Sequence, residues 1–132
     1  MTVGHDISWL KENLPASQTN QALALLGYTA EADYVCPFAL CIARVRLILT
    51  EKRTAGTLTV NFWKNGSPIT TPPAITVDLV NPQFRDVVID QSLATQFALG
   101  DRLAVLFTTD AAWLPVTSDL IVIVSLARPY GP

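Results

Sequence analysis

Apolar and polar residues alternate through most of the chain between Leu40 and Leu126. Leu58, Val60 and Phe62 alternate with Thr57, Thr59 and Asn61, and Lys64-Asn65-Gly66 closes that run. Leu103, Val105 and Phe107 alternate with Arg102, Ala104, Leu106 and Thr108 behind Gly100-Asp101, and Leu120, Val122, Val124 and Leu126 keep the same period. A side-chain period of two places one set on one sheet face and the other set on the opposite face. The pattern predicts strands over 22–28, 34–38, 40–50, 57–64, 75–80, 85–90, 102–109 and 119–127. The first is ambiguous with a helix, because Ala and Leu favour helices. Asn65-Gly66 is the strongest short hairpin signal, and Pro68, Pro72 and Pro73 make the following link irregular. About eight strands separated by turn signals predict an all-β, antiparallel β-sandwich of the jelly-roll kind.

Residues 1–21 read differently, as an N-terminal arm on a jelly-roll domain of residues 22–132. Asp6 is placed to cap a short helix with Ile7, Leu10 and Leu14 on one side and Trp9 beside them, and Pro15 ends it. The 16–21 stretch then reads as linker. Such a segment is too short for a core of its own, so it docks on its own sandwich, docks on a neighbouring subunit, or stays mobile. Trp9, Leu10 and Leu14 are candidate partner contacts, since they would otherwise face water.

The chain has 132 residues, a single-domain length. Half of them are hydrophobic and only 15% are charged, against roughly 25% in ordinary domains. That surplus favours apolar surface covered by another subunit. A net charge of −2 offers no electrostatic footprint for nucleic acid. Arg44 and Arg46, two residues apart, share one strand face and read as a solvated or salt-bridged pair. No apolar run approaches the ~20 residues of a membrane-spanning helix. The first residues lack the basic and apolar regions of a signal peptide, so the expectation is a protein made and kept in a cytoplasm, or released by lysis. Cys36 and Cys41 are an odd separation apart; in one strand they would lie roughly 16 Å apart, beyond the ~7 Å a disulfide spans. They read as free, largely buried thiols.

Candidate chemistry is sparse. The single histidine, His5, sits near the N-terminus, which argues against Ser-His-Asp or Cys-His catalysis. Zinc sites need more His and Cys than the chain supplies, so neither a metal nor another cofactor is expected. Asp78, Asp86, Asp90, Asp101, Asp110 and Asp119 could pair as acid and base, but they stand where Asp caps turns. Trp63 is opposite in phase to Phe62, so one of the two faces away from the core. Trp113, followed by Leu114 and Pro115, lies in a loop; it plugs the end of the barrel, contacts a subunit or partner, or stacks a sugar. Trp113 and Leu114 join the partner-contact candidates.

Thr54-Ala55-Gly56-Thr57-Leu58-Thr59-Val60-Asn61-Phe62-Trp63-Lys64-Asn65-Gly66 resembles a hairpin of small virion proteins of tailed bacteriophages, in which a T-x-G-x-L-x-V strand runs into a K-N-G turn. Phe97-Ala98-Leu99-Gly100-Asp101-Arg102-Leu103-Ala104-Val105 is similar to that family's F-x-x-G-D-x-I-x-V strand, and the 108–115 stretch to its following loop. The resemblance covers about residues 28–127 and is shared more distantly by complement- and tumour-necrosis-factor-like trimeric jelly rolls. It implies a non-enzymatic virion protein, a homotrimer that decorates and cements a phage capsid through the major capsid protein or another virion protein, with arms reaching between subunits. The alternative it leaves is a carbohydrate-binding or receptor-binding module of a phage fibre, with Trp63, Trp113 or Tyr130 on a shared concave face. An enzyme on the same scaffold would need convergent carboxylates.

Overall fold

A computed structural model describes residues 3–27 and 32–128. Among them the chain forms strands and no helix, in the order β1 (Val3–Lys11), β2 (Gln18–Ala22), β3 (Ala24–Leu25), β4 (Tyr34–Val35), β5 (Leu40–Leu49), β6 (Leu58–Lys64), β7 (Ser67–Pro68), β8 (Ile75–Val77), β9 (Phe84–Val88), β10 (Gln96–Phe97), β11 (Arg102–Thr109) and β12 (Leu120–Ala127). The first sheet runs β9-β5-β12-β1-β3, with β10 beside β5 on the β9 side. The second runs β2-β11-β6-β8, with β4 sharing the β2 side of β11 and β7 the β8 side of β6. All pairings are antiparallel. Without the two-residue strands β3, β4, β7 and β10, eight remain. Their order, first beside last in one sheet and second beside second-last in the other, is that of a jelly roll.

The alternating runs become the inner faces. Leu120, Val122, Val124 and Leu126 of β12 oppose Leu103, Val105 and Phe107 of β11 and Leu58, Val60 and Phe62 of β6 across one core, all at 1% exposure or less. Asn65 and Gly66 both take positive φ, 51° and 80°, which is what a tight two-residue hairpin requires. Lys64 pairs with Ser67 across it. In β5, Ala43 is an extra residue opposite the Ser125/Leu126 step. This bulge lets Ile42 and Val45 both point inward.

The N-terminal segment departs from expectation. Residues 3–11 are a strand inserted between β12 and β3 rather than a helix. Ile7 and Trp9 turn to the core while Asp6, Ser8 and Leu10 line the outer face. A helix of this length is marginal in water, whereas the segment finds a full antiparallel partner in β12. Leu14, also wholly buried, enters the core from the following loop, where its N–H donates to the Ser118 carbonyl at 2.8 Å. The separate arm of residues 1–21 therefore gives way to an integral strand. The 16–21 linker is corrected too. Gln18–Ala22 pairs with β11 as a strand, and the chain crosses from the second sheet to the first at buried Leu23. As a polar strand at a sheet edge it carries no alternating signal.

The loops at one end are laced together. The 50–57 loop between β5 and β6 meets the 110–119 loop through Thr54 N–H to Leu114 O at 3.0 Å, and buried Ser118 donates to Glu51 O and accepts its N–H. Asp110 accepts from Thr57 N–H, Thr57 Oγ1 and Ala112 N–H. Gly56, at φ +75°, lies so close that an added Cβ would overlap the Asp110 carboxylate and the Trp113 backbone.

Two outcomes follow from this packing. Trp9→Ala should cost about 3–5 kcal/mol in chemical denaturation, whereas an arm merely resting on the sandwich would register under about 1 kcal/mol. Gly56→Ala should destabilise by more than about 1 kcal/mol, because both its φ and its neighbours exclude a side chain. An unchanged denaturation midpoint would show that the loop yields.

Candidate functional site: the outer face of the first sheet

The register of β9, β5, β12 and β1 sets three rows of side chains on the face turned away from the core. Leu10, Ile121, Ile48 and Phe84 form one row. Ser8, Ile123, Arg46 and Asp86 form the next, and Asp6, Ser125, Arg44 and Val88 the third. Phe84 is 52% exposed and Val88 74%; the aliphatic side chains between them are half-buried.

The charges on this face neutralise one another diagonally. Arg44 donates from Nε to Asp86 Oδ1 at 2.7 Å and from Nη2 to the other carboxylate oxygen. Arg46 reaches over β12 to Asp6, Nη2 to Oδ2 at 2.9 Å, passing Ser125 Oγ at 3.4 Å. The Ser125 hydroxyl, with the Arg46 guanidinium, holds the Asp6 carboxyl below its ordinary range. The Arg44 hydrogen bond does the same for Asp86. Two cations and two anions leave the face neutral, so it offers neither a basic patch for phosphate nor an acidic one for a cation. The 78–83 turn leading into Phe84 presents Leu79 and Val80 at 80% and 82% exposure, its tip held by Asp78 Oδ1 accepting from Val80 and Asn81 N–H.

The partner-contact candidates do not assemble into one surface. Trp9 and Leu14 are fully buried within their own chain and Trp113 is 1% exposed, so Trp113 plugs the end of the sandwich. Leu10 lies half-buried in the first row described above. Leu114, 49% exposed, stands beside Val116 on the 110–119 loop. The residues that dominate the outer face, Phe84, Val88, Ile48 and Ile121, escape sequence reading. In 84–88 both phases carry apolar residues, Phe84 and Val88 in one and Val87 in the other, so alternation does not say which phase faces out.

Other titratable groups make hydrogen bonds and stacking contacts within the fold. Asp90 caps Ser92, and Asp101 accepts from Ala98 N–H at 2.8 Å and Asn65 Nδ2 at 3.0 Å; these bonds lower both carboxyls. Asp119 accepts from Asn13 N–H. His5 Nε2 lies 2.8 Å from the Tyr34 hydroxyl, with the imidazole edge-on to Phe38. Arg128 stacks on Phe38 at 4.1 Å. Cys36 and Cys41 are free and buried. Burial pushes the Cys36 thiol up to about 11 and also raises Cys41, which contacts Gln91 Oε1 at 2.9 Å. Among the described residues no three His, Cys, Asp or Glu side chains converge as a metal site. Tyr130 lies outside the described residues. Comparison with known protein families and with curated proteins gives no match.

The lowered carboxyls of Asp6, Asp86, Asp90 and Asp101 set a pH dependence. A carboxyl whose folded pKa is depressed contributes stability above its unfolded value, near 3.9 for Asp, and that contribution is lost as pH falls through the folded value. The denaturation midpoint should therefore change little between neutral pH and about pH 5 and fall below about pH 4. Asp101→Asn should flatten that acid limb, and a midpoint unmoved at low pH would contradict these hydrogen bonds.

Proposed function

We propose that this chain is a non-enzymatic structural protein of the virion kind, a jelly roll that self-associates as a homotrimer and decorates a phage head or builds part of a fibre. The observation that carries the reading is the neutral, half-apolar outer face of the first sheet. Its ion pairs are already satisfied within the chain, so a second copy meets it without leaving a charge unpaired. The virion assignment rests on the resemblance of the 54–66 and 97–105 segments. The chemistry found among the described residues, capped carboxylates and unreactive thiols, suits a protein whose work is mechanical.

Area sharpens the reading. Four strands by three rows cover about 400 Å² of sheet, about half of the ~800 Å² each partner contributes to a standard interface. The rest would come from the rim, where Leu79 and Val80 extend the apolar surface beside Phe84. Stapling by an N-terminal arm drops out, because Trp9 and Leu14 are committed to their own core. Attachment to a capsid or fibre partner falls instead to loop residues such as Leu114 and Val116.

Light scattering after size exclusion should return three times the 14.4 kDa chain mass. Phe84→Asp with Val88→Asp should reduce it to one chain while the thermal transition persists. A wild-type protein that runs as one chain at concentrations of about 100 μM, where even a weak oligomer of micromolar Kd is populated, would overturn self-association.

A further inference from the structure

The outer face of the second sheet has a different chemistry from that of the first. Along β6, Trp63, Asn61 and Thr59 point outward, half-buried, while Phe62, Val60 and Leu58 are in the core. Their cross-strand neighbours on β11 are Ala104, Leu106 and Thr108. Trp63 thus stands between two low neighbours, Ala104 on one side and Pro68 on the other. Leu106 is only 9% exposed, flanked by Asn61 and by Ala22 of β2. At the far end Thr108 Oγ1 accepts the Asn20 N–H at 3.0 Å and donates to its side-chain oxygen.

These residues make a lane with no charged side chain between Trp63 and Thr108. Four residues of strand rise from Thr59 to Trp63 give it a length of about 14 Å. Its floor is small and apolar, Ala104 and Leu106. Its polar groups are neutral amides and hydroxyls, and those of Asn61 and Thr59 make no hydrogen bond to another described residue. Charged side chains are the ones most often left on a protein surface, and this lane has none. Sugars present the complement of such a lane: apolar C–H faces that stack on an indole and on aliphatic floors, and neutral hydroxyls that exchange hydrogen bonds with amides and alcohols. Arg102, exposed two residues beyond Ala104, adds a guanidinium at the Trp63 end.

We infer that the outer face of the second sheet is an oligosaccharide-binding site, with Trp63 as the stacking platform and Asn61, Thr59 and Thr108 as the hydrogen-bonding side chains. The ligand class is an extended oligosaccharide, because the lane runs along one strand, β6, with its polar and aromatic side chains in line from Thr59 to Trp63. The site lies on the opposite side of the sandwich from the proposed self-association face and does not depend on it.

The test is calorimetric titration of the full-length protein with cellohexaose, chitohexaose, maltohexaose and trigalacturonic acid. The expected result is binding of at least one extended β-linked hexaose, reduced about tenfold or more, ~1.4 kcal/mol or above, in Trp63→Ala and measurably in Asn61→Ala. Thermal melts of both variants would show an intact sandwich, since both side chains face outward. Preference for trigalacturonic acid, lost in Arg102→Ala as well as Trp63→Ala, would place an acidic sugar at the Trp63 end and also support the site. No heat with any of the four at millimolar concentration, or binding unchanged in Trp63→Ala, would overturn it. Phe84→Asp with Val88→Asp should leave sugar binding intact, so failure of self-association and failure of this site give different results.

Discussion

The structure rests on the antiparallel pairing of its first and last long strands. β1 lies against β12 from Val3 and Ala127 to Lys11 and Leu120, and β12 is paired with β5 along its other edge. This puts β12 in the interior of the first sheet, which is why its inward residues are fully buried. It also carries Trp9, the largest residue of the N-terminal segment, into the core. Such a contact joins residues more than a hundred positions apart in sequence, a high loop-closure cost met before any reward. The strand Val3–Lys11 therefore cannot leave its place without opening the first sheet.

Once that sheet is closed, the two outer faces divide the scarce charge unequally. The first carries two Arg–Asp pairs set diagonally among aliphatic side chains. The second carries threonines, asparagines and one tryptophan along its centre. Exposed ion pairs contribute little to stability, so the pairs on the first face are better understood as a way of keeping it neutral. A neutral face with Phe84 and Val88 exposed and a hydroxyl-lined face with Trp63 thus differ in chemistry, one apolar between its ion pairs and the other polar without charge.

The 54–66 and 97–105 segments are joined in space. Asn65 of the K-N-G turn accepts the Arg102 N–H at 2.8 Å and donates to Asp101 Oδ1, while Lys64 approaches the same carboxylate at 3.5 Å. The β6–β7 hairpin is in this way stapled to the turn that opens β11. The motif residues are conformational: Asn65, Gly66 and Gly100 adopt positive φ, and Asp101 caps the turn at Ala98. They mark how the sandwich is built, which is why they carry a fold more firmly than an activity.

The sequence by itself determined the all-β class, the inward phase of β6, β11 and β12, the tight turn at Asn65-Gly66, the turn-capping role of Asp101 and Asp110, and the opposite phases of Trp63 and Phe62. Each depends on local chemistry: a period of two, a preference for positive φ, or a carboxylate within reach of nearby N–H groups. Tertiary structure decided the rest. Ile7, Leu10 and Leu14 are spaced for a helix, and only the free edge of β12 made residues 3–11 a strand. Gln18–Ala22 has no apolar alternation and is a strand because β11 needed an edge partner. Trp113 and Leu114 are adjacent in sequence, yet one is sealed against Gly56 and the other is in solvent. The rows Leu10-Ile121-Ile48-Phe84 and Asp6-Ser125-Arg44-Val88 draw on four separated strands, and register, a long-range property, brought them together.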